Sequence, residues 1–360
     1  GSSMPVAPER GRSLPEISMN AIFRLIRRCT LAGLAAALLA APAYAQTKLV
    51  VGYQLIVGPF LTAIADGSFD KALKDAGYQV DWRQFTSGGD ISTALASGNV
   101  PVGVLGSTGI TAAATRGVDM ELFWILDNIG KSEALVARNG SGINSTADLR
   151  GKRVATPFVS TSHFHLLVGL EQVWKINPRD VRILNMQPPQ IVAAWQRGDI
   201  DAAYVWPPAL TEIAKSGKII ADSEQIGKAS VPTFDGIVVD RAWAAKNPKF
   251  MAAFTSVLAK SYADYRANSA KWTADSPQVK SIVKLIGGKP EDMVEALQLL
   301  VFPTVQEQAS NVWLGGGKES GAARAFAASA QFLKDQKQID KALADYSPHV
   351  TDKYAKAAEK

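Results

Sequence analysis

Apolar positions along the chain follow strand spacing in some stretches and helix spacing in others, and the two kinds alternate. "KLVVGYQ" (Lys48–Gln54) and "YQVDWRQF" (Tyr78–Phe85) carry Val, Leu, Tyr and Trp at strand spacing. Between them, "GPFLTAIADGSFDKALKDAG" (Gly58–Gly77) reads as helix, with Pro59 suited to the first turn and Gly77 to the stop. The helix "GGDISTALASG" (Gly88–Gly98) and the strand "VPVGVLG" (Val100–Gly106) follow, then the small-residue helix "STGITAAATRG" and the strands "MELFWIL" and "EALVAR". A second cycle starts near Asn144. It predicts a short capped helix, a strand at Arg153–Ala155, a long helix, the strand "VRILNMQ", another helix, and the strands "DAAYVW" and "FDGIVVDR" (Phe234–Arg241). Beyond Pro248 the pattern is mostly helical. Strands alternating with helices favour an α/β class built on parallel sheets.

One segment occurs twice. "ISTALASGNVPVGVLGST" (Ile91–Thr108) matches "IVAAWQRGDIDAAYVWPP" (Ile191–Pro208), with Ile91 over Ile191, Ala94 over Ala194 and Gly98 over Gly198. Each copy reads as helix, glycine stop, tight turn, strand, because glycine accepts the left-handed conformation past a helix end. The repeat predicts two similar α/β lobes; chance likeness of two amphipathic helices is the alternative. Strands near Glu133–Arg138 and Phe234–Arg241 are the natural crossings. They give one lobe from residues 46–137 plus 236–360, a second from 138–235, and a hinge that closes over a ligand.

The N-terminal residues read as processing sequence. "GSSM" has the character of a cloning scar, and Met19 of a natural start. Arg24, Arg27 and Arg28 then precede the apolar run "LAGLAAALLA" (Leu31–Ala40) and the small-residue site "APAYA" (Ala41–Ala45). An export signal cleaved after Ala45 is expected, and with it a periplasmic location. Residues 4–18 fit neither the scar nor the signal. The single cysteine, Cys29, falls inside the signal, so disulfide and thiolate chemistry are not expected of the mature chain. The three histidines, His163, His165 and His349, lack metal-ligand spacing, and no cofactor motif is present. The formal charge is +6, and the first 45 residues hold five arginines against two glutamates. The remainder is too mildly basic for a nucleic-acid partner. A monomer is expected.

Ligands of open α/β sheets bind beyond the carboxyl ends of strands. The strand ends here supply Gln54, then Ser107 and Thr108, then Ser160, Thr161, Ser162 and His163, and finally Trp206-Pro207-Pro208. Several lead into helix starts, whose free N–H groups suit an anion; the hydroxyls there either touch ligand or cap the helix. Residues 53–60, 105–110, 157–165 and 203–210 contain no Lys or Arg. A neutral cradle of this kind suits a weakly hydrated monoanion such as a sulfonate. Trp206 reads either as an aromatic wall of the cleft or as packing between lobes. Asp235 and Glu133 read either as partners of a cationic ligand group or as solvated carboxylates at strand ends. G-x-S-x-G, Walker and dinucleotide fingerprints are absent from the sequence.

"KSEALVA" (Lys131–Ala137), "GKRVATPFVSTSHF" (Gly151–Phe164), "QPPQIVAAWQRGDIDAAYVWPPAL" (Gln187–Leu210) and "DSEQIG" (Asp222–Gly227) closely resemble the taurine-binding periplasmic proteins of sulfonate ABC importers. "AQFLKDQ" and "DYSPHVTDKY" fit as well, so the resemblance covers nearly all of the chain beyond the signal. It implies a type II periplasmic binding protein fold, no catalysis, no cofactor or metal, and delivery of a small sulfonate to an ABC permease driven by its ATPase. It also implies Gln54, Ser107, Thr108, Ser160 and Thr161 around the sulfonate, Trp206 as the wall, and Asp235, with Glu133, toward an ammonium. One position departs from the pattern: Gly58 stands where relatives carry an acid. That leaves open taurine held differently, or another small sulfonate such as isethionate. A ligand sensor for a membrane receptor would use the same binding chemistry. The few enzymes of thiamine-precursor and menaquinone pathways on this fold would need a nucleophile or metal in the cleft.

Overall fold

A computed structural model describes Gly1 and residues 45–360. The expected signal segment, with Cys29, lies outside the described residues. Residues 46–360 form one compact unit containing two five-stranded sheets.

The first sheet is built from β1 (Thr47–Tyr53), β2 (Tyr78–Gln84), β3 (Val102–Gly106), β4 (Met120–Asn128) and β10 (Phe234–Asp240), in the order β2-β1-β3-β10-β4. The second is built from β5 (Ala134–Arg138), β6 (Arg153–Thr156), β7 (Arg182–Asn185), β8 (Ala202–Val205) and β9 (Gly217–Asp222), in the order β7-β6-β8-β5-β9. The two orders are the same pattern. In each, three strands run parallel and the next, β10 or β5, is antiparallel to them. The repeated segments occupy matching central places, since β3 and β8 are the third strands of their sheets. Gly98 and Gly198 end the preceding helices with φ of +79° and +75°, a conformation that only glycine adopts without strain.

Strand faces follow the pleat. In β5, Ala134 and Val136 pack into a core cluster confined to the second sheet, with Trp195 and Ile213; Leu135 and Ala137 join the large cluster that includes the first sheet. β8 divides in the same way, Ala203 and Val205 against Ala202 and Tyr204. Burial on both faces explains why these strands read as continuous apolar runs. An aromatic cluster anchors the long helix Pro248–Asn268 to the first sheet, with Phe69 and Phe254 ring centroids 4.7 Å apart and Trp82 and Phe254 stacked. Burying one such ring contributes about 2–3 kcal/mol.

The structure differs from the sequence reading in three places. The helix expected over Gly58–Gly77 is two helices, Pro59–Ala65 and Ser68–Asp75; Asp66 ends the first, and its carboxylate accepts the N–H of Ser68 at 2.8 Å, starting the second. β9 was not foreseen, because "GKIIAD" alternates poorly: Lys218 and Ile219 are both exposed on this edge strand. The strands expected to cross between lobes do not cross. β5 pairs only within the second sheet and β10 only within the first, so the chain passes over in the short segments preceding them, near 129–133 and 230–233. The two passages run side by side, with the Ile129 N–H donating to the Thr233 carbonyl at 3.2 Å. Among the described residues no helix is long and apolar enough to cross a membrane.

Candidate functional site

Between the sheets, at the carboxyl ends of β1, β3, β6 and β8, lies a cavity of about 140 Å³. That suits a compact ligand; an engineered apolar cavity of about 150 Å³ admits benzene. Four helices begin at its wall: Gly88–Ala96 behind Ser87, Ser107–Thr115 behind Gly106, Thr161–Val168 behind Ser160, and Pro188–Arg197 behind Gln187. The first three starts leave N–H groups without an intrahelical partner; the fourth opens on Pro188 and Pro189, which have no N–H, and the Gln187 side chain takes the Gln190 N–H, so it adds only the positive end of its dipole. Among the described residues no Lys, Arg or His lines the cavity. Negative charge there is met by dipoles alone.

Of the residues expected at the site, Gln54, Glu133, Ser160, Thr161, Trp206 and Asp235 do line the cavity. Their hydrogen bonds assign them different tasks. The Gln54 amide donates to the Val104 carbonyl at 2.9 Å, which fixes the side chain at the end of β1. Ser160 caps its helix, accepting the His163 N–H at 3.1 Å and donating to the Pro157 carbonyl. Trp206 is partly exposed to the cleft and partly packed on the second core cluster. Ser107, Thr108 and Ser162 are buried and do not line the cavity. The Ser107 hydroxyl accepts the Phe234 N–H at 3.3 Å, while the buried Thr108 hydroxyl has no partner among the described residues.

Glu133 is fully buried and accepts four hydroxyls. Thr161 and Ser162 donate to one carboxylate oxygen, Ser223 (2.8 Å) and Thr233 (3.0 Å) to the other. Tyr204 extends the network through its hydroxyl contact with Ser223 at 2.8 Å. Burial raises the Glu133 pKa and these donors pull it back, since hydroxyl donors favour the ionised form. The carboxylate thus ties both inter-sheet passages to two helix starts. With four donors already engaged, it is poorly placed to serve an ammonium. Asp235 is differently set: it reaches the cavity from β10, directly opposite Asp127 on β4. His163 stacks on Phe158, and burial lowers its pKa to about 4, so it stays neutral beside the cleft.

The sequence reading missed Ser87, Gly88, Gly89, Phe158 and Gln187, all of which line the cavity. The repeat held the clue for two of them. Extended toward the N-terminus, the hundred-residue offset places Ser87 over Gln187, the residues that precede the matching helices. The same offset places Gly106 over Trp206. Equivalent positions in the two halves therefore carry the smallest and the largest side chain, which makes the cleft lopsided.

Residues 57–271 match the model of the family described as "NMT1/THI5 like". The taurine-binding periplasmic protein of Escherichia coli (strain K12) is 39% identical over 307 residues, spanning 85% of this chain and 92% of that one. Among solved structures, the periplasmic aliphatic sulphonate binding protein SsuA of Escherichia coli superposes with a TM-score of 0.69 at 20% identity, over 86% of this chain and 99% of that one. The alkanesulfonate-binding protein SsuA of Xanthomonas axonopodis pv. citri, bound to MOPS, does so with a TM-score of 0.64 at 20% identity, over 86% and 97%. These likenesses and the paired sheets give the type II periplasmic binding protein fold. Matched by the family model over more than half its length and by a relative along nearly all of that relative's own, the chain belongs to the NMT1/THI5-like family.

Proposed function

We propose that this protein is the solute-binding component of an ABC importer, that it takes taurine or a closely related small alkanesulfonate between its lobes, and that it hands the ligand to a membrane permease driven by an ATPase. The observation that carries this reading is the polarity of the cavity. Four helix starts and the carboxylate of Asp235 line it together, with no Lys, Arg or His among the described lining residues. A sulfonate head complements the helix starts and an ammonium tail complements the carboxylate. The similarity to a protein named for taurine supports it. Export through the segment ending at Ala45, a periplasmic location and action as a monomer belong to the same reading. In this reading the lobes are the two sheets with their helices, joined at 129–133 and 230–233.

Gly58 favours keeping isethionate as a second ligand, because the acid that the family resemblance leads one to expect at this position is missing. A Cβ on residue 58 would stand 3.3 Å from the Phe302 ring, so an acid there would need that ring to move by a few tenths of an ångström. Calorimetry with both sulfonates decides between them. Asp235→Asn should weaken taurine roughly ten- to a hundredfold, the loss of one charge-assisted hydrogen bond, and leave isethionate within about threefold. Equal weakening of both would make Asp235 a structural residue and remove the ammonium from the reading.

A further inference from the structure

Asp127 and Asp235 are directly opposed across the antiparallel β4–β10 ladder, so their side chains leave the same face of the sheet with Cβ atoms about 4.5–5.5 Å apart. Asp127 is fully buried, and among the described residues no N–H or O–H group donates to either of its oxygens at hydrogen-bond geometry. Only Asp235 of the pair lines the cavity. Among the described residues neither forms an ion pair with a Lys, Arg or His.

The surrounding elements bring little compensating charge. The passage between sheets contributes Glu133, whose negative charge works against ionising either aspartate. The long helix Pro248–Asn268 contributes Tyr262, which donates to the Leu126 carbonyl at 2.5 Å, and Arg266, whose guanidinium is held by the carbonyls of Phe302 and Pro303. β3 and the helix Ser107–Thr115 carry no charged side chain. Glu121, with Arg241, sits toward the opposite end of β4. Two directly opposed carboxylates, one of them fully buried without a donor, cannot both stay ionised in such surroundings. Burial, then the charge of Asp235, pushes Asp127 well above the ordinary carboxylate range, and burial pushes Asp235 up to about 7.

We propose that Asp127 and Asp235 share one proton in the ligand-free protein, that a primary ammonium on the ligand displaces it, and that Asp127 is thereby the positioning residue that selects amine-bearing sulfonates. The inference rests on the sulfonate-binding reading above. In the ligand-free protein Asp127 donates its O–H to Asp235, and the pair carries one negative charge. An arriving –NH3+ offsets a second negative charge. The proton then leaves Asp127 for water, and both carboxylates face the ammonium, Asp235 directly and Asp127 through it. A hydroxyl tail brings no charge and leaves the proton in place. Binding that releases a proton tightens as pH rises, by up to about tenfold per pH unit.

Calorimetry of the purified protein with taurine and with isethionate, at about pH 6 and about pH 8 in two buffers of different ionisation enthalpy, measures both the affinity and the proton count. Taurine should tighten severalfold or more over this range and release a substantial fraction of one proton. Isethionate should do neither. In Asp127→Asn the amide still donates to Asp235 but has no proton to lose, so the pH dependence and the release should vanish for taurine. Carboxyl ¹³C NMR of the ligand-free wild type gives a second measurement that needs no variant: one aspartate should titrate above about pH 6. Tight taurine binding with a flat pH profile and no proton release, or aspartates that all titrate in the ordinary range, would overturn the shared proton while leaving the sulfonate reading standing. Failure of both sulfonates to bind at either pH would overturn that reading and this inference together.

Discussion

At Trp206 the indole divides its surface between the second core cluster and the cleft, where β8 gives way to Pro207-Pro208. An aromatic ring in that position excludes water from a short ligand's methylenes and leaves its polar ends to the helix starts. Trp206→Ala should therefore cost roughly thirtyfold in taurine affinity, about 2 kcal/mol. Because the ring is only partly packed, the ligand-free protein should lose no more than about 1–2 kcal/mol of stability. Titration calorimetry and urea unfolding separate the two quantities. Unchanged affinity with a large stability loss would return Trp206 to the core. The residues around it show how chemistry and position can part: the hydroxyls of Ser160, Thr161 and Ser162 sit in the loop where an anion site was expected, yet they cap a helix or serve Glu133.

Among elements, that service joins pieces distant in sequence. Glu133 lies in one passage between the sheets and Thr233 in the other, Thr161 and Ser162 open one helix, and Ser223 opens another. Glu133→Ala leaves four buried hydroxyls without their acceptor and should destabilise the ligand-free protein by about 3 kcal/mol or more. Glu133→Gln retains one acceptor oxygen and should lose less. Urea unfolding of the two variants checks the order. A variant of normal stability with strongly weakened taurine binding would instead make Glu133 a ligand partner. The four hydroxyls around this carboxylate were not legible in the sequence: it follows a strand-like run and precedes another, as a cleft residue would, and only folding brings Thr161, Ser162, Ser223 and Thr233 to it.

At the scale of the molecule, two sheets of matching order are joined by two adjacent passages, and the candidate site lies between them. Such a joint permits rigid-body closure over a ligand. Small-angle scattering of the protein should show a smaller radius of gyration with saturating taurine than without it. An unchanged radius, with binding confirmed by calorimetry, would exclude closure. The sequence by itself determined the α/β class, the doubled helix-glycine-strand unit and the absence of Lys and Arg from the site loops, because periodicity, left-handed glycines and composition are local properties. It also pointed to Gln54, Trp206 and Asp235, which lie just past or just inside the ends of strands and line the cavity. Only the tertiary structure decided that β5 and β10 stay each within one sheet, that Glu133 is a hub, and that Asp127 lies against Asp235. Strand pairing, and the number of donors around a buried carboxylate, depend on residues a hundred or more positions apart, and no local pattern encodes who meets whom.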